Sequence, residues 1–293
     1  SAPPSPPAPL IVSGPLESPP VLSSGPPAPA VSGPALLASR QPVPLRATQS
    51  PAAPTIPAAA PAPPVNPLHR LYAQAATTYA AIPAYTARLR QREQVNGKDK
   101  PEEVMAFRFR KEPWSVYFRW IGPEARGREV VYVRGRYDGK IHTRLAAGDV
   151  LLMPAGARFS VAPDSIMARG RSRHPITEAG IGTLVERFGQ LLTAAERGDR
   201  SHGTLTYLGL QSRPEFTGPV EAVEHMIPPG AEAALPGGGR RLWYFAADSH
   251  LPVLISTRDA TGHEVEYYCY DQLRYPVSLT DDDFNPDRLW ARR

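Results

Sequence analysis

The sequence predicts an α+β fold built on a broad antiparallel β-sheet, and three observations carry that expectation. Residues 67–293 contain a succession of segments in which apolar and polar side chains alternate with period two. Turn dipeptides such as Asn96-Gly97 and Asp138-Gly139 separate several of them. Two stretches, one at the start of this region and one in its middle, follow a helical period instead. Alternation places successive side chains on opposite faces of a sheet, and Asn-Gly or Asp-Gly supplies the positive φ values of a tight hairpin turn.

Composition divides the chain near residue 66. Residues 1–66 hold 20 of the 36 prolines, three charged residues (Glu17, Arg40, Arg46) and no aromatic residue. Such a stretch has too little apolar surface to offset the entropy of ordering, and proline stiffens it toward polyproline II. It is expected to be a disordered Pro/Ala-rich tail or spacer, with residues 67–293 forming one domain. The net charge is +5, of which the first 66 residues contribute +1. The mild excess of basic residues in the domain, with 29 Arg against four Lys overall, permits contact with anionic headgroups without requiring it. Cys269 is the only cysteine, so internal disulfides and Cys-rich metal sites are excluded; in an alternating strand it reads as a small buried thiol. No proline-free run of about 18 apolar residues is present, so no transmembrane segment is expected. The chain opens on Ser1, which fits a processed form whose secretory signal has been removed.

Asn66-Pro67 reads as an N-cap with proline in the first turn, and Leu68, Leu71, Tyr72, Ala75 and Tyr79 predict a helix over 67–81. Strands follow at 84–95 and about 104–111, joined at Asn96-Gly97, then at 114–120 after the break at Glu112-Pro113. A further hairpin spans 128–136 and 140–145. Residues 146–172, with the apolar run Val150-Leu151-Leu152-Met153 and several breakers, predict short strands and a loop. Ile181, Leu184, Val185, Phe188, Leu191, Leu192 and Ala195 predict the central helix, with Thr177 capping its start and Gly198 ending it. Five strands are expected after it, at 203–210, 220–227, 241–247, 251–257 and 264–273.

Known catalytic signatures are missing: there is no HExxH, G-x-S-x-G, P-loop or CxxC. Gly180-Ile181-Gly182 opens a helix without the third glycine of a dinucleotide site. Asp248-Ser249-His250 lies between two strands and reads as a turn. Asp281-Asp282-Asp283 lacks the glycine and distal glutamate of a calcium loop and reads as a solvated acidic turn. The scattered histidines form no ligand pair; His174, before Pro175 and the central helix, fits a structural hydrogen bond. No enzyme activity, metal, cofactor or nucleic-acid partner is therefore expected.

Two sheet faces differ in chemistry. Arg88, Arg90 and Arg92 share one face with Arg108 and Arg110 if the Asn96-Gly97 hairpin pairs their strands; that face reads as wet and convex, or as one facing an anionic membrane surface. The opposite face carries Phe107, Phe109, Trp114, Val116, Phe118 and Trp120. These read first as core, but two helices leave room for an apolar cleft against so wide a sheet.

The segments Ile82–Tyr85 with Leu89 and Glu93, Pro113-Trp114-Ser115-Val116-Tyr117 with Trp120, and Gly127-Arg128-Glu129 with Tyr132 and Gly135 resemble a domain-of-unknown-function family, number 1571. His174-Pro175-Ile176-Thr177-Glu178-Ala179-Gly180 and Leu279-Thr280-Asp281 with Asp283-Phe284-Asn285-Pro286 extend the likeness over roughly 68–290. That family is related to the lipoprotein-carrier superfamily of bacterial lipoprotein localisation factors. The resemblance implies a curved antiparallel sheet or incomplete β-barrel closed by the N-terminal helix and the central helix. It also implies export, with an interior able to hold acyl chains. The expected function is a soluble periplasmic or secreted binding protein for a lipid, a lipidated protein or another lipophilic ligand. Phe107, Phe109, Trp114, Val116, Phe118 and Trp120 would form the sheet wall, and Leu184, Val185 and Phe188 the helix over it. The alternative is a structural or interaction module of the cell envelope with no ligand cavity.

Overall fold

The computed structural model describes residues 66–291, so the Pro/Ala-rich spacer expected over residues 1–66 lies, up to residue 65, outside the described residues. Helix α1 (Pro67–Ala80) starts at the expected cap, where the Asn66 side chain accepts from the Leu68 N–H at 3.0 Å. Strands β1 (Ala84–Val95), β2 (Lys98–Asp99), β3 (Glu103–Arg110), β4 (Ser115–Trp120), β5 (Glu129–Val133), β6 (Ile141–Arg144) and β7 (Arg158–Val161) follow. After α2 (Ile166–Arg169) and α3 (Ile181–Glu196) come β8 (Thr204–Gln211), β9 (Val220–Ile227), β10 (Gly239–Ala246), β11 (Pro252–Asp259), β12 (Glu264–Arg274) and the short α4 (Pro286–Leu289). Asn96 and Gly97 both have positive φ, 52° and 74°, as the hairpin turn requires.

One sheet takes all twelve strands, in the order β7-β6-β5-β4-β3-β1-β12-β11-β10-β9-β8, with β2 paired to β1 beside this path. Every pairing is antiparallel. The first and last long strands, β1 and β12, meet in the middle and join an N-terminal meander to a C-terminal one. Strands β7 and β8 end the sheet on opposite sides, so the barrel stays open. The sheet also curls: Phe118 on β4 and Trp243 on β10 line one cavity although four strands separate theirs, a span of roughly 24 Å in a flat sheet.

Helices α1 and α3 pack together on the concave face. A Cβ at Gly182 would lie 2.2 Å from the Tyr79 hydroxyl, and one at Gly189 would lie 2.5 Å from the Tyr72 ring, so the absent side chains admit the tyrosines of α1. On its other side α3 buries Phe188 against Trp243 and Phe245, with ring centroids 5.6 and 4.9 Å apart.

Two local expectations are corrected. The run Val150–Met153 is an exposed turn rather than a strand, because no neighbouring strand is there to pair with it. Thr177 lies in a one-turn 3-10 segment and does not cap α3; Gly180, at φ 105°, is the residue before the helix and has no side chain to cap with. Gly198 does end α3, at φ 73°.

The convex face is partly solvated as expected, and the arginines named on it are paired: Arg88 and Arg90 with Asp271 at 2.7 and 3.2 Å, and Arg92 with Glu102 and Glu264, both at 2.8 Å. Arg110 meets Asp281 at 2.9 Å and Arg108 meets Asp283 at 3.1 Å, so the acidic turn is tied to the sheet while Asp281 and Asp282 stay exposed, as expected of a solvated turn. Around that turn the C-terminal segment brings Phe284 and Trp290 onto Tyr117, Val131 and Val133, forming a second buried cluster. Cys269 is fully buried on this face beneath Arg90.

A cavity between the sheet and the central helix

Where the curled sheet outruns the two helices, a cavity of about 840 Å³ remains. Its apolar wall comes from Phe118 and Val130, from Ile141 and Leu145 at the two ends of β6, and from Phe159 and Val161 on β7. The segment 163–176 crosses its opening from β7 back to the end of β1. That crossing is held by the Lys100 ammonium, which donates to the Arg171 carbonyl, and by Glu93, which accepts from the Ser172 hydroxyl at 2.8 Å and the Arg173 N–H at 3.2 Å.

Of the nine residues expected to form the site, Phe118, Trp120 and Leu184 line the cavity. The other six are in the filled part of the interior. Phe107 and Phe109 are buried against Tyr85, at 5.9 and 5.0 Å between centroids. Trp114 packs edge-on against Phe109 and Tyr132, at 5.8 and 5.9 Å, and Val116 is wholly buried. Val185 and Phe188 turn to the core side of α3. Phe107 and Phe118 share one rung of the ladder, where Phe107 on β3 meets Tyr85 and Tyr270 and Phe118, one strand further out on β4, reaches the cavity. For the other pairs register explains the split. Phe109 and Val116 pair at the end of the β3–β4 ladder where Tyr79 and Tyr85 fill the space, whereas Met105 and Trp120 pair at the other end, where the cavity opens.

The opposite wall holds a buried polar group that reading the chain did not single out. Glu266 on β12 is fully enclosed. Its Oε1 meets His174 Nε2, and its Oε2 accepts from the Thr257 hydroxyl at 2.5 Å and from Arg241 Nη2 at 3.3 Å. Arg241 in turn forms a two-pronged pair with Glu232 at 2.7 and 2.8 Å. Burial opposes ionisation of Glu266, but the Arg241 charge and the His174 and Thr257 contacts hold its carboxyl well below the usual range. Burial likewise opposes the Arg241 charge, and Glu266 and Glu232 outweigh it and hold the guanidinium above its ordinary value. Tyr268 donates to Glu93, and burial first, then Glu266 and Glu93, push its hydroxyl far up. His174, Glu232, Arg241, Glu266 and Tyr268 all line the cavity. A signal was present in the chain: Glu266 stands in phase with Tyr268 and Tyr270, on the apolar face of its strand. Asp248-Ser249-His250 forms the β10–β11 turn, with Leu251 N–H donating to the Ser249 hydroxyl at 3.4 Å. Among the described residues no three His, Cys, Asp or Glu side chains gather as a metal site.

The fold and this cavity define an open antiparallel half-barrel with a hollow, partly polar interior beside its central helix. The chain belongs to the DUF1571 family of proteins of unknown function, whose model matches residues 82–289. No curated protein matches it. Solved structures that it resembles include an uncharacterized conserved protein from Thermus thermophilus, at 8% identity and TM-score 0.42, covering 74% of this chain and 91% of that one. The lipoprotein LppX from Mycobacterium tuberculosis aligns at 13% identity and TM-score 0.43, over 73% of this chain and 98% of LppX. A LolA superfamily protein from Nitrosomonas europaea aligns at 11% identity and TM-score 0.31, over 75% and 98% respectively.

Proposed function

We propose that this protein is an extracytoplasmic binding protein for an amphiphile, either a lipid or the acylated part of a lipidated protein. The observation that carries the reading is the cavity of about 840 Å³, within the range of ligand sites and two-sided in its chemistry. Acyl chain lies along Phe118, Val130, Ile141, Phe159 and Val161, and the polar end of the ligand faces His174, Arg241 and Tyr268. Burial of methylene groups contributes roughly 0.8 kcal/mol each, so about eight of them contribute roughly 6 kcal/mol before the costs of association. The charged pairs on the polar wall are already satisfied by one another, so they orient a headgroup through remaining hydrogen-bond capacity and do not demand a counter-ion.

Native mass spectrometry tests this. Protein purified from its host, or incubated with phospholipid or long-chain fatty acid, is expected to show mass additions of one ligand. Replacement of Leu184 by Trp, which puts bulk into the cavity, is expected to reduce them. Protein that stays free of ligand after incubation with each lipid class would sink the reading.

A further inference from the structure

The mouth of the cavity carries apolar side chains that fold onto nothing. Nine large apolar residues are exposed among the described residues, and five of them fall between positions 151 and 167, which marks this stretch out from the rest of the surface. Leu151 is 88% exposed, Leu152 96% and Ile166 91%, with Met167 at 55% also lining the cavity. They belong to two neighbouring projections, the β6–β7 loop and α2.

Both projections are anchored at their bases. In the loop, Asp149 accepts from Arg128 Nε at 2.9 Å and from the Ala146 N–H at 2.7 Å, and Arg128 lines the cavity. Leu152 sits at φ 69°, a left-handed conformation that costs a leucine energy and persists only where the surrounding turn imposes it. The backbone thus holds the two leucines outward while the loop's polar base faces the protein. Beyond α2, Arg171 is tied through its carbonyl to Lys100. Arg128 and Leu145 at the base of the loop, and Met167, Gly170 and Arg171 in and just after α2, line the same cavity. Both projections therefore border its opening.

Charge identifies the occupant. Arg169 ends α2, Arg171 follows it on the cavity's edge, and Arg126 stands two residues before Arg128; all three are exposed, and among the described residues none has a carboxylate within ion-pair distance, unlike Arg128 and Arg158. Glu124 and Asp164, the exposed acids of the same rim, are outnumbered. Apolar side chains standing proud of a basic ring match the interface of an anionic bilayer, which takes leucine-sized groups among its headgroups and offers phosphates to guanidinium forks.

We infer that the rim formed by Leu151, Leu152, Ile166 and Met167, with Arg126, Arg169 and Arg171, docks this protein on the surface of an anionic lipid bilayer with the cavity mouth turned toward the lipid. This surface does not depend on what the cavity holds. Co-sedimentation of the full chain with vesicles tests it, using phosphatidylcholine alone and equal parts phosphatidylcholine and phosphatidylglycerol. The expected result is binding to the mixed vesicles that weakens with salt. Leu151→Asp with Leu152→Asp should weaken it about tenfold or more, and Arg169→Glu with Arg171→Glu about fivefold per charge removed. Circular dichroism of the variants should match the parent, because these side chains make no core contact. As a separate readout, Leu151→Trp should shift its emission to the blue on mixed vesicles. Failure of the parent to bind, or equal binding by the loop variants, overturns the inference. So does a dimer that these variants dissociate in the absence of vesicle binding, which would make a second copy the occupant.

Discussion

The Tyr85 hydroxyl, at the start of β1, accepts a hydrogen bond from the Ile181 N–H at 2.7 Å, and both residues are buried. Helix α3 has no side-chain cap of its own, so a tyrosine 96 positions earlier takes that place. The contact fixes where the helix begins and thereby which of its side chains reach the cavity. A Cβ on Gly180 would sit 2.8 Å from that hydroxyl. Tyr85→Phe keeps the ring and leaves the N–H unpaired, and is expected to lower unfolding stability by about 1–2 kcal/mol. Urea denaturation reads the change; an unaltered midpoint would remove Tyr85 from this role.

Acid should act through Glu266. Its carboxyl is held well below the usual value of 4.5, chiefly by Arg241 acting against burial. The folded protein therefore binds this proton less readily than the unfolded chain does. The resulting stability is fully present above about pH 4.5 and is lost as pH falls from there toward the depressed folded value. Glu266→Gln is expected to destabilise the protein near neutral pH by about 3–5 kcal/mol, since Arg241 loses its one buried carboxylate and keeps only the half-buried Glu232. The gap between the two proteins should narrow as the pH falls below 4.5. Melting curves across an acid series decide it, and a gap that stays constant would count against the account.

Two phenylalanines paired across β3 and β4 should separate packing from ligand contact. Phe107 is buried in the filled interior and Phe118 lines the cavity, with their rings 4.8 Å apart. Phe107→Ala is expected to cost about 3–5 kcal/mol of stability. Phe118→Ala should cost less and alter binding of a fluorescent fatty acid more. The opposite ranking in paired denaturation and titration experiments would place the ligand elsewhere.

On the convex face Glu129 holds the C-terminal segment. Its Oε2 accepts from the Tyr117 hydroxyl at 2.6 Å and from Trp290 Nε1 at 2.8 Å, and its Oε1 meets Arg144 Nη1 at 3.1 Å. Glu129→Ala leaves two buried donors and a guanidinium without their acceptor, so a loss of about 3 kcal/mol or more is expected. Limited proteolysis should then cut the chain ahead of Phe284 faster than in the parent. Equal cleavage would show that apolar contacts alone hold the segment.

Local chemistry made much of the fold legible. The alternation of Met105, Phe107 and Phe109 with Ala106, Arg108 and Arg110 determined a strand and its two faces, because a residue's face depends only on its own parity. Asn96-Gly97 determined a hairpin for the equally local reason that two positive φ values are needed there. The spacing from Ile181 to Ala195 determined the central helix. The likeness of His174–Gly180 and of the Leu279–Pro286 stretch to the family determined the membership that the match over 82–289 bears out.

Parity could not say how far along a face the interior is filled. Phe107 and Phe118 are equivalent by pattern and face each other on one rung, yet Phe107 is enclosed by Tyr85 and Tyr270 and Phe118, one strand further out, borders the cavity. That outcome depends on sheet curl and on helix docking across about a hundred residues. Pairing of Arg88 with Asp271, 183 positions apart, was equally invisible, since the meeting of β1 with β12 is a property of the whole sheet's topology. The sequence determined which side chains face inward; only the tertiary structure decided which of them meet each other and which meet empty space. Periodicity acts within a segment, whereas a cavity is what remains after distant segments have packed.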